Sequence, residues 1–251
     1  LRSGGRDLSR VEVWIPTAGA GRRIRSALAE SGVLSPRFTQ PMRALMPNEC
    51  RLAERFEREG AWALALGKLD HQFLEPLFSD AKWDSEGSRL KSGGVLCDLC
   101  DLLAEAGWSP SHPRMREVCG EDSARWDVLG RIYPCYLAAL EDFGLTDPNE
   151  ARFAEMANPS RVGEVDRLVI ACIPDLPLAA QRYAEALASR GVEVEVLVWL
   201  PEGLGGGFDP WGRPDPLEWE ECRLEVELSQ ISAARSPEDE ARLAIDFAVS
   251  C

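Results

Sequence analysis

Apolar and polar positions follow two different periods near the start of the chain. Residues 11–15 form a short β-branched run that predicts a strand, and residues 22–30 carry apolar side chains at helical spacing. Small residues fill positions 16–21 between these two segments, and Gly32 gives the helix a stop signal. The pattern therefore predicts a strand, a loop and a helix, in that order.

A second unit of the same kind lies in the last third of the chain. Residues 168–173 are continuously apolar, residues 174–177 predict a turn, and residues 178–190 predict a helix that Gly191 ends. Residues 192–200 then predict another strand. Because a helix between two apolar runs is typical of a parallel β-α-β unit, the sequence predicts an α/β fold with a parallel sheet.

The middle of the chain shows almost no strand signal. Apolar residues instead recur at helical spacing in three segments, residues 52–69, 93–106 and 123–143. We therefore expect a helical subdomain over residues 46–160, inserted into a discontinuous α/β domain formed by residues 1–45 and 161–251.

The last part of the chain begins with a stretch rich in Gly and Pro. Beyond it, residues 224–234 could form one or two strands, and a final helix opens with Ser236 as its N-cap and Pro237 at its first position. This helix still runs at Cys251 without a stop signal. We therefore expect the native polypeptide to continue beyond that residue.

Charge is distributed unevenly along the chain. The net charge is −14, yet the first 60 residues contain 11 arginines and no lysine against 7 acidic residues. Since the remainder is strongly acidic, most of the surface should repel a polyphosphate, and any contact with nucleic acid must be local. The alternative is an acidic domain whose helices carry arginine without a ligand. The candidate DNA contacts are the arginines Arg22, Arg23, Arg25, Arg37 and Arg43.

Apolar runs and cysteine usage indicate the compartment. No apolar run reaches the roughly 18 residues of a membrane span, and the first twenty residues lack the apolar core of a signal peptide. The eight cysteines are spread singly apart from one pair, which favours reduced thiols over a disulfide framework. We therefore expect a cytoplasmic protein without a membrane partner.

The loop predicted between the first strand and the first helix occupies the place of a phosphate-binding loop. Pro16 stands where such a loop has its first Gly, Arg22 where it has Lys, and Arg23 where a hydroxyl would bind Mg²⁺. Helix amides and two arginines would still favour an anion, whereas a tight turn would need the same small residues for packing alone. The candidate residues of this degenerate loop are Thr17, Gly19, Gly21, Arg22 and Arg23.

Cys97 and Cys100 form the one closely spaced cysteine pair. The chain has no second pair at zinc-ligand spacing, and it contains only two histidines, His71 and His112. Apolar residues surround the pair at helical spacing. We therefore expect packed thiols in a helix and no metal site.

Three aromatic residues lie in the stretch rich in Gly and Pro: Phe208, Trp211 and Trp219. Exposed aromatic rings beside a basic groove could stack on bases. Aromatic side chains in such a stretch could equally anchor it to the core, and this is the interpretation we prefer.

Several segments resemble one group of DNA-repair proteins. Residues 15–24 (IPTAGAGRRI) resemble the degenerate nucleotide loop of AddB-type subunits of helicase-nucleases and of related PD-(D/E)XK nuclease-family proteins. Further segments are similar to the N-terminal region of that group: Arg125 with Trp126, residues 168–177 (LVIACIPDLP), and residues 208–214 (FDPWGRP) with Trp219. The similarity extends over nearly the whole chain.

The resemblance implies a P-loop-helicase-like domain that has lost its ATPase site, in a protein that acts on DNA ends during double-strand-break repair. It implies DNA, an active helicase subunit and the rest of the same chain as partners. It also implies a C-terminal nuclease that holds divalent metal. Neither Asp175 nor Asp215 has the spaced acid and Lys of such a nuclease, so we expect no nuclease, no metal and no bound ATP in these residues.

Three functions remain open at this point. The one we favour is a non-catalytic, helicase-like module that positions DNA or a partner subunit. The second is a nucleotide- or phosphate-binding enzyme or switch that uses Gly19, Gly21 and Arg22. The third is a purely structural interaction domain.

Overall fold

Four strands form one sheet: β1 (Val11–Trp14), β2 (Arg37–Thr39), β3 (Arg167–Ala171) and β4 (Glu193–Leu197). They lie in the order β2-β1-β3-β4, and each pair of neighbours is parallel. The computed structural model of the protein describes residues 7–33, 35–47, 50–78, 85–200, 206–220 and 231–250. The predicted α/β fold with a parallel sheet is confirmed, and β2 is a strand that the sequence pattern did not predict.

Helices occupy most of the remaining described chain. They are α1 (Ala18–Glu30), α2 (Pro41–Ala44), α3 (Arg55–Gly67), α4 (His71–Leu74), α5 (Glu86–Glu105), α6 (Met115–Cys119), α7 (Ser123–Glu141), α8 (Pro148–Ala157), α9 (Leu178–Ala188), α10 (Pro216–Glu220) and α11 (Pro237–Ser250). The three helical segments predicted for the middle of the chain correspond to α3, α5 and α7. The helix predicted over residues 178–190 corresponds to α9.

The sheet is covered on both faces. The chain passes from β1 through α1 to β2 on one side, and from β3 through α9 to β4 on the other. Since crossovers between parallel strands are right-handed, α1 and α9 lie on opposite faces. Trp14 and Ile170 accordingly pack on the α9 face, while Val13 and Val169 pack on the α1 face. The ends of β1 and β3 therefore form a topological switch point.

A second hydrophobic core lies among the helices between β2 and β3. Trp62 of α3 is fully buried and stacks on Tyr136 of α7, with ring centroids 4.2 Å apart. Helix α5 approaches α3 closely at Gly93, where an added Cβ would lie 2.7 Å from the carbonyl oxygen of Glu59. Only glycine fits at this crossing without a shift of the backbone.

The chain divides into two compact units, Leu1–Arg213 and Pro214–Cys251. In the second unit, α11 begins as predicted: the Ser236 hydroxyl accepts a hydrogen bond from the backbone N–H of Asp239 at 3.2 Å. The strands expected over residues 224–234 fall mainly on residues 221–230, which lie outside the described residues, and residues 231–234 form neither helix nor strand. Among the described helices, none has the length and the apolar character that a membrane span requires.

Candidate functional site: the crevice at the switch point

The connection between β1 and α1 is short, because α1 begins at Ala18. The helix start expected near residue 22 is therefore wrong. Thr17 is the N-cap, and its hydroxyl accepts a hydrogen bond from the backbone N–H of Ala20 at 3.2 Å. Gly19 and Gly21 consequently lie in the first turn of the helix instead of in a loop. The connection is shorter than a loop that wraps a phosphate chain requires.

Packing explains one of these two glycines. Gly21 is buried, and an added Cβ would lie 2.5 Å from Cδ1 of Ile15 and 3.6 Å from Cβ of Phe38. Gly21 therefore lets α1 lie close to the sheet. At Gly19 an added Cβ would make only ordinary contacts, the nearest at 3.7 Å from the Thr17 hydroxyl oxygen. These distances give Gly21 a packing role, but within the helix and not in the tight turn that the sequence analysis offered as the alternative.

The five arginines predicted to contact DNA lie in three different elements, α1, α2 and β2. Arg22 and Arg23 are exposed in the second turn of α1, and neither forms an ion pair with a described residue. Arg25 lies with its guanidinium carbon 5.3 Å from the ring centroid of Phe38. All three therefore belong to the helix that starts at the ends of the strands.

The other two arginines lie at opposite ends of β2. Arg37 begins that strand, and its guanidinium is 3.8 Å from the carboxylate of Glu164. Arg43 lies in α2, which follows the end of β2, and it is exposed without an ion pair to a described residue. The structure thus brings Arg43 to the carboxyl ends of the strands and places Arg37 away from them.

A cavity of about 550 Å³ opens at the ends of β1, β2 and β3, beside the start of α9. We call it the switch-point crevice. It is lined by the polar side chains of Gln40, Arg43, Glu105, Arg152 and Asp175, and by Pro177 at the start of α9. Open parallel sheets bind their ligands in this position, outside the carboxyl ends of strands on either side of a switch point. The crevice is therefore the candidate functional site.

Arg152 of α8 is the cationic residue of the crevice that the sequence does not predict. One terminal nitrogen of its guanidinium donates to Oδ1 of Asn149, but its Nε is buried and has no hydrogen-bond partner among the described residues. Burial lowers the pKa of Arg152 below its usual value, because desolvation disfavours the charged form. No sequence pattern around Arg152 singles it out.

A buried polar network holds α8 and thereby Arg152. The amide of Asn149 donates to Asp101 at 2.8 Å, and Asp101 accepts two hydrogen bonds from Arg58 at 2.7 and 3.1 Å. Arg58 also lies 3.3 Å from the carboxylate of Asp147, the N-cap of α8. Burial would raise the pKa of Asp101, but the hydrogen bonds from Arg58 and Asn149 outweigh it and lower the pKa.

A second, smaller cavity lies next to the crevice, at the ends of β3 and β4. It has a volume of about 230 Å³ and includes Cys172, Trp199, Phe208 and Trp211. Cys172 is exposed and has φ +54°, the one positive φ outside glycine in the described chain. Trp199 is 78% exposed. Ile173 lines both cavities, so they adjoin at the end of β3.

The Trp residues of the stretch rich in Gly and Pro are only partly accounted for by the preferred interpretation. Trp211 is half-buried and packs against the α9-side core of the sheet, which confirms that it anchors this stretch. Phe208 is half-buried beside it, in the smaller cavity. Trp219 lies in α10, in the second unit, and is half-buried.

Cys97 and Cys100 lie in α5 with buried side chains in the helical core, as expected. Burial raises the pKa of Cys97 to about 11 and raises the pKa of Cys100 further, so both remain protonated thiols. Within the described chain, no cluster of three or more metal-ligating side chains is found. The ring of His112 stacks on Trp108, with ring centroids 4.9 Å apart. That no metal binds here stays a prediction.

Comparison with known proteins does not identify the chain. No protein-family model matches it, and no curated protein matches it significantly. The likeness to AddB-type proteins therefore rests on the residues quoted for it.

Proposed function

We propose that the chain is a non-catalytic, helicase-like N-terminal module of an AddB-like DNA-repair protein, acting in the cytoplasm. In this role it positions DNA, or an active helicase subunit, at the carboxyl ends of its strands. The observation that supports the proposal most directly is that Arg22, Arg23 and Arg43 are exposed at this side of the sheet without ion pairs to described residues. Exposed arginines without an ion pair are typical of phosphate contacts.

The charge of the rest of the chain limits how DNA would bind. The net charge of −14 repels a polyphosphate from most of the surface. Binding through a few arginines is then weak, independent of base sequence and strongly dependent on salt.

The helices between β2 and β3 fit the inserted subdomain that the resemblance implies, and we propose them as the part that spaces this site from a partner.

Replacing Arg22 and Arg23 together by Ala is expected to weaken DNA binding several-fold. The affinity of the unaltered chain should lie near 10⁻⁴ to 10⁻⁶ M, and the slope of log affinity against log salt should fall by roughly 1.5 when two phosphate contacts are lost. Fluorescence anisotropy of a labelled oligonucleotide over a salt series measures both quantities.

The matched control for this experiment is the double replacement of Arg10 and Arg167 by Ala. Both residues lie at the amino ends of the strands, where Arg10 pairs with Asp166 and Arg167 with Glu193. The control removes the same charge but should leave the salt slope unchanged. An equal loss in both double variants would mean that net charge, and no site at α1, governs binding.

We expect no Mg²⁺-dependent ATPase activity, which is the result that separates this proposal from the nucleotide-dependent switch. The first turn of α1 contains Gly19 and Gly21 in helical conformation, and Arg23 stands where a hydroxyl would bind Mg²⁺. At most, the start of α1 should bind phosphate or sulfate weakly. Calorimetry with ATP and Mg²⁺, together with a phosphate-release assay, checks this. Micromolar ATP binding with turnover that Arg22→Ala abolishes would overturn the proposal.

A further inference from the structure

The buried Nε of Arg152 is the starting point for a second assignment. A buried N–H without an acceptor among the described residues is unusual in proteins, and it leaves the guanidinium with hydrogen-bonding capacity that these residues do not use. Arg152 also lines the switch-point crevice, so the part of its side chain that is open to this cavity can contact an acceptor there, whereas Nε itself is closed off. The network of Asn149, Asp101 and Arg58 fixes the helix that carries it. The guanidinium is thus held in place before any ligand arrives.

Two further features of the crevice favour an anion. Arg43, on the wall formed by α2, is exposed and has no ion pair with a described residue. Helix α9 begins at the crevice with Pro177 as its N-cap, no side chain caps its first turn, and that turn contains no acidic residue. Its free N–H groups and the helix dipole therefore favour negative charge at this point. Glu105 and Asp175 also line the crevice and equal the two arginines in number, so the preference for an anion rests on the fixed guanidinium of Arg152 and on the start of α9.

The size of the crevice indicates more than a bare ion. Its volume of about 550 Å³ is in the range of cavities that bind small organic molecules. Apolar side chains, including Met42 and Met46, form the wall beside Arg43. A phosphate accounts for the cationic part of the lining, and an attached organic group accounts for the apolar part.

We propose that the switch-point crevice binds a phosphate monoester, with the phosphate between Arg152 and Arg43 and the organic group against the apolar wall. Its two arginines are distinct from Arg22 and Arg23 of α1, although Pro16, just before the N-cap of α1, also lines the crevice. The monoester has two sources, a free nucleotide or the terminal phosphate of a DNA strand. The second source rests on the proposed function, whereas the site itself does not.

Calorimetric titration of the whole chain with dAMP and with inorganic phosphate tests the site. We expect saturable binding of dAMP that Arg152→Met weakens at least tenfold, because Met keeps the apolar stem but removes the donors. Since Arg152 also donates a hydrogen bond to Asn149 within α8, Arg43→Glu provides a second variant at an exposed position, and it should weaken binding at least as much. The double replacement of Arg10 and Arg167 by Ala should leave dAMP binding unchanged.

Oligonucleotides that differ only in a 5′-phosphate identify the source. Tighter binding of the phosphorylated strand, with the difference lost in Arg152→Met, supports the site with a DNA end as ligand. Equal binding of both strands, alongside dAMP binding that depends on Arg152, supports the site with a free nucleotide as ligand.

The site is overturned by three results. These are no binding of dAMP or phosphate, binding that both Arg152→Met and Arg43→Glu leave intact, or binding that the double replacement of Arg22 and Arg23 by Ala abolishes. The last result would move the phosphate to the start of α1. The salt slope of oligonucleotide binding tests the proposed function separately, so either proposal can fail while the other stands.

Discussion

Replacing Trp62 by Ala is expected to lower the free energy of unfolding by about 3–5 kcal/mol, the usual cost of truncating a large buried aromatic side chain. Trp62 is fully buried in the helical core and stacks on Tyr136 with an interplanar angle of 8°. The substitution leaves a cavity between α3 and α7 that the surrounding helices fill only in part. Equilibrium urea denaturation, followed by far-UV circular dichroism, measures the loss.

Two controls separate lost packing from other effects. Trp62→Phe should cost clearly less than Trp62→Ala, since the indole N–H has no acceptor among the described residues and only part of the ring volume is removed. Phe56→Ala on the same helix should change stability by less than about 0.5 kcal/mol, because Phe56 is 67% exposed. A similar loss for Trp62→Ala and Phe56→Ala would show that Trp62 does not organise the helical core.

The parts of the fold that were predictable are those whose signal is local. β1, β3 and β4 belong to parallel β-α-β units. β1 and β3 are largely buried, so the sequences of these two strands are nearly continuous apolar runs. β2 escaped prediction because it has only three residues and one apolar side chain, Phe38, at the edge of the sheet. Its pairing with β1 comes from the tertiary fold and not from its own pattern.

The start of α1 was misplaced for a related reason. Glycines are typical of loops, so the sequence pattern predicts a loop that contains Gly19 and Gly21. In the structure the helix starts earlier, with Thr17 as its N-cap, and it includes both glycines. Glycine is needed at position 21 because Ile15 leaves no room for a side chain there. A contact between helix and strand therefore overrides the local preference of glycine, and it removes the loop on which a nucleotide site would depend.

The candidate site was predictable only in part. Arg43 was identified because it belongs to the one basic segment of the chain, and that signal survives in the structure as one wall of the crevice. Arg152 reaches the same cavity from a helix that lies far away in the sequence, and its position depends on contacts of Asn149 and Asp101. Such long-range contacts leave no periodicity or spacing for a single sequence to reveal.

Removing the positive charge of Arg161 is expected to lower the free energy of unfolding by about 3–5 kcal/mol, the usual cost of breaking a buried ion pair. In Arg161→Ala the carboxylate of Glu12, whose side chain is 3% exposed, loses the guanidinium that lies 2.6 Å away. Glu12 lies in β1 and also accepts a hydrogen bond from the indole N–H of Trp14 at 2.9 Å. The variant should therefore loosen the strand that leads into the switch-point crevice. Urea denaturation of the variant measures the loss.

Exposure decides the size of this effect, and a matched pair in the same region tests that reasoning. Arg10 and Asp166 are also 2.6 Å apart, but their side chains are 54% and 65% exposed, so Arg10→Ala should cost no more than about 1 kcal/mol. Replacing both partners, as Glu12→Gln with Arg161→Met, should recover most of the stability that Arg161→Ala loses. The reason is that the neutral amide leaves no unpaired charge and can still accept from Trp14. If the double variant were as unstable as Arg161→Ala, lost packing around Arg161, and not an uncompensated buried carboxylate, would be the cause.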